Sequence, residues 1–247
     1  TVVSSPGGVI SARLNAGSWQ RQRLMDGWFA ARDVGYGNGH FVTVGWTKYR
    51  DSEGFYTQGQ EIAQIFRATD PAGEWDMMWS SAVDSSIIYR VRYLAGLWVA
   101  VGQQASLPLL LISYDNAVTW QQVDLPAGFT TSALYDVDVI TRPETGIRTW
   151  YFASNGAVLH ATDGFPAASW AHSTTLHGPD GLATVQCVRG NDLGQLVAAS
   201  SQCIWYSADG INWISYATPA YDPRSVAWFN DQWVVSGESL LTSTTYW

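Results

Sequence analysis

The sequence predicts an all-β fold built from one repeated unit, and three observations predict it. Turn segments that close on tryptophan recur at SYDNAVTW (113–120), SADGINW (207–213), ATDPAGEW (68–75) and ATDGFPAASW (161–170). Each places a small residue, an aspartate two positions on, a turn and a closing Trp: Trp120, Trp213, Trp75 and Trp170. ARLNAGSW (12–19) is a worn copy and TSTTYW (242–247) a truncated one. A strand–turn–strand element also recurs, as VGYGNGHFVTVG (34–45), VRYLAGLWVAVG (91–102) and VAWFNDQWVVSG (226–237), with TWYFAS (149–154) and QLVAAS (195–200) carrying its second half. Within these units, runs such as Phe41–Val44 and Trp98–Val101 are β-rich, bounded by Gly, and lack the i, i+3, i+4 spacing of a helix. Self-similarity at this period marks a repeat architecture.

The repeat assigns the elements in order. Setting an aromatic or apolar anchor against the small residue four positions on gives Phe41–Gly45, Trp98–Gly102, Trp150–Ser154, Leu196–Ser200 and Trp233–Gly237. These five anchors lie 57, 52, 46 and 37 residues apart. Each unit reads as four strands: an inner strand A, an apolar B, a C that ends at the Asp turn, and a D that starts at the Trp. A four-stranded meander in tandem is the sequence form of a β-propeller blade, and solenoid repeats keep tighter lengths than these. Five A–B pairs predict a five-bladed β-propeller of four-stranded antiparallel blades. C-like strands exceed the blades by one, which leaves six blades as the alternative. The chain opens on a C–D-like half unit, Val9 to Leu24, and ends with A, B and a C-like strand. The N- and C-terminal strands are therefore expected to complete one blade and close the ring, which removes an open sheet edge. Without a Pro/Gly/Ser-rich linker, residues 1–247 read as one domain.

Composition bounds the function. Hydrophobic residues make up 47% of the chain, with 14 Trp and 12 Tyr to fill wedge-shaped space between sheets. Net charge is −8, and the 13 basic residues form no stripe, so an acidic surface would repel phosphate backbones and nucleic acid is not an expected partner. No apolar run reaches the roughly 18 residues a membrane helix needs, and no signal peptide is visible at the start, so membrane insertion is not expected. A surface rich in Ser, Thr, Asn, Gln and Tyr suits a virion, the extracellular space or a cell surface. Cys187 and Cys203 fall on the first and third strands of their unit, about 9.5 Å apart. That is too far for a disulfide, so both are expected to be free, buried thiols.

The turn motif resembles the Asp box, or BNR repeat, of sialidase-like β-propellers. Ser113, Asp115, Thr119 and Trp120 match S-x-D-x-G-x-T-W with Ala117 in the Gly position. Ser207, Asp209 and Trp213 match with one residue deleted; Ala68, Asp70 and Trp75 match in part; Asp163 and Trp170 sit in an expanded turn. The aromatic–apolar–Gly strand before the turn is similar to repeats of phage virion proteins and bacterial surface proteins. The resemblance implies a propeller whose Asp turns lie on the outer rim, opposite the ligand-binding face.

Asp70, Asp115, Asp163 and Asp209 therefore read as structural, each accepting backbone N–H groups within its own turn. Binding residues are expected where D–A and B–C connections gather. The longest B–C insertion, 46–63, carries Lys48, Tyr49, Arg50, Asp51, Glu53, Tyr56 and Glu61, and long loops in compact domains are often functional. Residues just before the inner strands should ring the channel mouth: Arg32, Asp33, Arg90, Asp136, Tyr221, Asp222 and Arg224. Carboxylates there could accept hydroxyl hydrogen bonds while Tyr or Trp stacks on a sugar face. In the competing reading these charges pair with one another and cap the channel. The ligand-binding candidates are thus Arg32, Asp33, Tyr49, Arg50, Arg90, Asp136, Tyr221, Asp222 and Arg224.

Catalysis finds less support. Glycoside hydrolysis needs two carboxyls about 5–5.5 Å or 6.5–9.5 Å apart. The resemblance implies that a sialidase would instead need a Tyr nucleophile, a Glu and an arginine cluster. Arg32, Arg90 and Arg224 occupy similar repeat positions, but no Tyr–Glu pair accompanies them. A furanosidase-like enzyme would use Asp33 and Asp136 with a Glu, of which Glu238 is the nearest candidate. The histidines His40, His160, His172 and His177 have no metal-ligand spacing, and no phosphate-binding or nucleophile-elbow motif is present. No catalytic residue, metal or cofactor is assigned. The expected role is a non-catalytic recognition module for a glycan or protein receptor on a virion tail or cell exterior, with other virion or surface proteins as further partners. A structural virion or assembly subunit and a glycoside hydrolase are the alternatives.

Overall fold

The computed structural model describes residues 2–5, 9–12, 18, 20–24, 28–50, 56–129, 131–142, 145–162, 164–165, 169–172, 175–178, 181–217, 223–237 and 240–243. Among them every regular element is a strand. Contacts divide the chain into two units, Thr1–Leu125 and Pro126–Trp247.

The first unit holds three antiparallel sheets. β1 (Val2–Ser5), β2 (Val9–Ala12) and β3 (Gln20–Arg23) form the first. β4 (Trp28–Gly37), β5 (His40–Arg50), β6 (Tyr56–Ala68) and β7 (Asp76–Ser80) form the second. β8 (Ser86–Leu94), β9 (Leu97–Gln104), β10 (Leu107–Ser113) and β11 (Gln121–Gln122) form the third.

The second unit repeats the scheme. β12 (Leu134–Thr141), β13 (Arg148–Ser154), β14 (Val158–Thr162) and β15 (Ser169–His172) make one meander. A two-stranded ribbon, β16 (His177–Gly178) with β17 (Gly181–Leu182), lies in the next connection. β18 (Cys187–Gly190), β19 (Leu196–Ala199), β20 (Cys203–Ser207) and β21 (Ile214–Ala217) make the second meander. β22 (Ser225–Phe229), β23 (Gln232–Ser236) and β24 (Leu240–Ser243) make a three-stranded sheet.

Five sheets, starting at β4, β8, β12, β18 and β22, coincide with the five sequence anchors. The N-terminal segment differs from expectation. It contributes three strands, β1 being the extra one, and they pair with one another. β1 packs alongside β4, the place an inner strand takes in the other sheets.

At two of the five small-residue positions on the B strands, the glycine has a steric cause. A Cβ at Gly45 would lie 2.0 Å from the Ala30 carbonyl oxygen, and one at Gly102 would lie 2.0 Å from that of Ile87. In both places the inner strand bulges, with Arg32 extra between Ala31 and Asp33 and Tyr89 extra between Ile88 and Arg90. β12 bulges at the same point, with Tyr135 extra between Leu134 and Asp136. Bulges turn a strand and re-aim the side chain that follows.

Alternating apolar residues on these strands build cores between neighbouring sheets. In the first unit Val42, Val44 and Ile65 meet Val91, Trp98 and Leu111, with Trp98 fully buried. In the second, Tyr151, Ala153 and Val158 meet Val188, Ala198 and Trp205. The closing tryptophans pack into these layers: Trp75 with Phe29 and Phe66, Trp120 against the Trp98 core, and Trp213 against the Trp205 core. Cys187 and Cys203 are buried thiols that form no disulfide, as their strand positions required.

Candidate functional site

The Asp turns are closed hydrogen-bond knots. Ser113 Oγ donates to Asp115 Oδ1 at 2.8 Å and accepts Ala117 N–H at 2.8 Å. Asp115 Oδ1 accepts Thr119 N–H, and Oδ2 accepts the Thr119 hydroxyl at 2.6 Å. Led by the Thr119 hydroxyl, these bonds hold the Asp115 carboxyl at about 2. In the second unit Ser207 Oγ donates to Asp209, whose Oδ1 accepts the N–H groups of Ile211 and Asn212, each at 2.8 Å. Partial burial opposes ionisation of Asp209, but the Asn212 and Ile211 bonds outweigh it and set its pKa at about 2. At Asp70 the turn keeps one such bond, from Ala72 N–H at 2.9 Å. Carboxylates engaged this way hold hairpins, and Asp163 lies outside the described residues.

Two candidate carboxylates fasten neighbouring sheets. Asp33, just past the β4 bulge, accepts Val91 N–H of β8 at 3.0 Å through Oδ2, and its Oδ1 lies 3.8 Å from Arg90 Nη1. Asp136, just past the β12 bulge, is fully buried. Its Oδ1 accepts Val137 N–H at 2.9 Å, and its Oδ2 accepts Val188 N–H of β18 at 3.3 Å and Arg189 Nη1 at 2.5 Å. Asp138 extends this ladder by accepting Gly190 N–H at 2.9 Å. Of the other candidates, Arg32 is the exposed bulge residue. Arg224 donates its backbone N–H to Ser236 O at 2.7 Å and Nη1 to Gln186 Oε1 at 3.4 Å. Tyr49 and Arg50 lie on β5, their side chains outside the described residues, as are Tyr221 and Asp222 altogether.

Within the second unit a cleft of about 670 Å³ opens toward the C-terminal ends of β12 and β18, away from Arg224, which precedes β22. It is lined by residues 138–141 of β12, by 189–192 at the end of β18, and by Ala227 and Trp228 of β22. Trp228 is half-buried against Trp233, ring centroids 4.9 Å apart. Asn191 fixes the rim: its Oδ1 accepts the N–H groups of Leu193 and Gln195, at 3.1 and 2.9 Å, and its Nδ2 donates to Gln195 Oε1. Sequence reasoning passed over Arg189, Asn191, Asp192 and Trp228, because the A–B connections read only as hairpin turns. A signal was present. The residue after the bulge is Val in β4, β8 and β12 (Val34, Val91, Val137), and Val188 and Val226 take the same place in the unbulged β18 and β22, which puts Asp138, Arg189 and Ala227 in one register.

No protein-family profile matches the sequence, and no curated protein matches it either. Solved structures do match in shape. YCF48 bound to a D1 peptide is 12% identical, with a TM-score of 0.61 over 98% of this chain and 73% of that one. The nidogen/laminin complex is 10% identical, with a TM-score of 0.57 over 98% and 88%. The α-L-arabinofuranosidase arb93a from Fusarium graminearum, with an iminosugar inhibitor, is 12% identical, with a TM-score of 0.54 over 93% and 79%. These neighbours are β-propellers, and the chain shares their fold. At such identity the likeness speaks to fold alone, since propellers host unrelated functions on one frame.

Proposed function

We propose that this chain is a non-catalytic recognition module that binds a protein or glycan receptor, with the cleft of the second unit as its contact site. One observation carries the reading. The two carboxylates best placed for hydrolytic chemistry, Asp33 and Asp136, are engaged by Val91 N–H and by Val188 N–H with Arg189. A general acid or nucleophile must instead reach substrate. The cleft offers what recognition needs: an aromatic wall at Trp228, convergent polar groups and a rim fixed by Asn191. A virion or extracellular setting fits the sparsely charged, polar composition. Similarity of the turns to the Asp box remains part of this proposal. So does the blade count, for which the three-stranded β1–β3 sheet supports six over five.

The test is a glycan and peptide array probed with the 247-residue chain and with Trp228→Ala and Arg32→Ala variants of retained fold. The proposal expects saturable binding that Trp228→Ala abolishes and Arg32→Ala preserves. Turnover of a chromogenic glycoside, lost in Asp33→Asn, would replace this reading with the hydrolase one.

A further inference from the structure

Within the first unit, His40, Arg67 and Asn116 meet where the β4–β7 sheet packs on the β8–β11 sheet. His40 opens β5, Arg67 lies near the end of β6, and Asn116 stands in the turn between β10 and β11. All three are half-buried. Arg67 Nη2 lies 2.5 Å from His40 Nε2, and Asn116 Nδ2 lies 2.8 Å from His40 Nδ1. The same Nδ1 is 2.8 Å from Asn38 O, and Asn116 Oδ1 accepts Trp98 Nε1–H at 3.4 Å.

Donors outnumber acceptors in this cluster. A neutral imidazole has one N–H and one lone pair. With the proton on Nδ1, His40 donates to Asn38 O and accepts Arg67, and the Asn116 amide N–H meets another N–H. With the proton on Nε2, it accepts Asn116, meets the guanidinium with an N–H and loses its bond to Asn38. Turning the Asn116 amide over moves the surplus to the indole N–H of Trp98, which is fully buried. Each arrangement leaves one N–H facing another.

The charge is unbalanced in the same direction. Arg67 makes no ion pair among the described residues. Asp76, its cross-strand neighbour on β7, is exposed and does not close on it. Arg67 Nε is buried without a partner. Asp115, beside Asn116, is committed to Ser113 and Thr119. A guanidinium keeps its charge in such surroundings, and its complement is an anion with several acceptor oxygens.

We propose that Arg67, His40 and Asn116 form a binding site for a sulfate- or phosphate-type oxyanion. The Nη1–Nη2 edge of Arg67 takes two of its oxygens bidentately, while Nη2 keeps its other hydrogen on His40. The surplus Asn116 N–H is offered to a third oxygen. A carboxylate has only two oxygens and would leave that donor unused. A long polyanion is disfavoured by the net charge of −8, so the ligand is a single group, carried as a free ion or as an ester on a sugar.

The experiment is heteronuclear NMR of the 247-residue chain at constant ionic strength. Sodium chloride is replaced stepwise by sodium sulfate, sodium phosphate, or a sulfated monosaccharide with its unsulfated parent as control. The indole N–H of Trp98, which bonds Asn116, is the reporter, and that of the buried Trp205 is the reference. The expected result is a saturable shift at Trp98 and none at Trp205. Arg67→Gln should weaken binding about tenfold, and Arg67→Lys nearly as much, because lysine lacks the planar fork. Equal thermal melts confirm the fold of both variants. A response to the free ions alone, or to the sulfated sugar alone, supports the site and identifies the source of the group. The unmodified chain is decisive even where a variant does not fold. A Trp98 resonance that every oxyanion leaves unmoved would overturn the proposal, as would binding that Arg67→Gln leaves intact or an equal response to the unsulfated sugar.

Discussion

The carboxylate of Asp136 accepts the backbone N–H of Val188 from the next sheet, at 3.3 Å, while holding Arg189 at 2.5 Å. Asp33 makes the equivalent bond to Val91 in the first unit, at 3.0 Å. Both aspartates follow a bulge, so the same local distortion in β4 and β12 aims a carboxylate at the neighbouring inner strand.

Asp136→Ala should destabilise the second unit by about 3–5 kcal/mol, because it strands Arg189 and an unsatisfied Val188 N–H. Asp33→Ala should cost less, about 1–3 kcal/mol, because its ion pair with Arg90 is longer and more exposed. Urea unfolding of the two variants checks the order. Equal, negligible effects would show that neither aspartate fastens the sheets.

Acid stability should depend on the Asp turns. The folded pKa values of Asp115 and Asp209, about 2, lie below the ordinary 3.8. Their contribution is therefore complete above about pH 5 and is lost as pH falls through 3.8 toward 2. Thermal melts between pH 5 and 2 should fall less steeply in an Asp115→Asn/Asp209→Asn variant than in the parent. Parallel curves would contradict the turn geometry.

Gly210→Ala should lower the melting temperature more than Gly39→Ala. Both glycines have positive φ, +75° and +78°, which costs an L-residue roughly 1 kcal/mol. A Cβ at Gly210 would also lie 2.3 Å from the Tyr151 hydroxyl, whereas nothing lies within 4 Å at Gly39.

Cys187 and Cys203 should react with a thiol reagent at least 100-fold more slowly in the native chain than in urea. Both are buried, and burial pushes the Cys203 thiol up, away from the reactive thiolate. Two thiols titrated in urea without reductant would confirm the absence of a disulfide.

Much of the fold was legible because each repeat carries its own markers. The Trp98–Gly102 spacing reports a B strand that must pass close to a bulged carbonyl, and the Ser113–Asp115–Thr119 spacing reports a turn knot formed within eight residues. Both are local, so the sequence displays them directly. The fastening role of Asp33 and Asp136 was not legible, because the N–H groups that donate to them sit 58 and 52 residues away and depend on how one sheet registers against the next. The cleft at Arg189, Asp192 and Trp228 was missed for the same reason. Three inner strands build it together, and no one of them carries a recognisable motif.

Recognition is expected at the cleft end of the second unit. The most direct measurement is the affinity of an array-identified receptor for Phe229→Ala and Arg224→Ala, side by side with the parent chain. Weakening by Phe229→Ala with Arg224→Ala unchanged is the predicted result; weakening by Arg224→Ala alone would place binding at the other end of the inner strands and contradict the account.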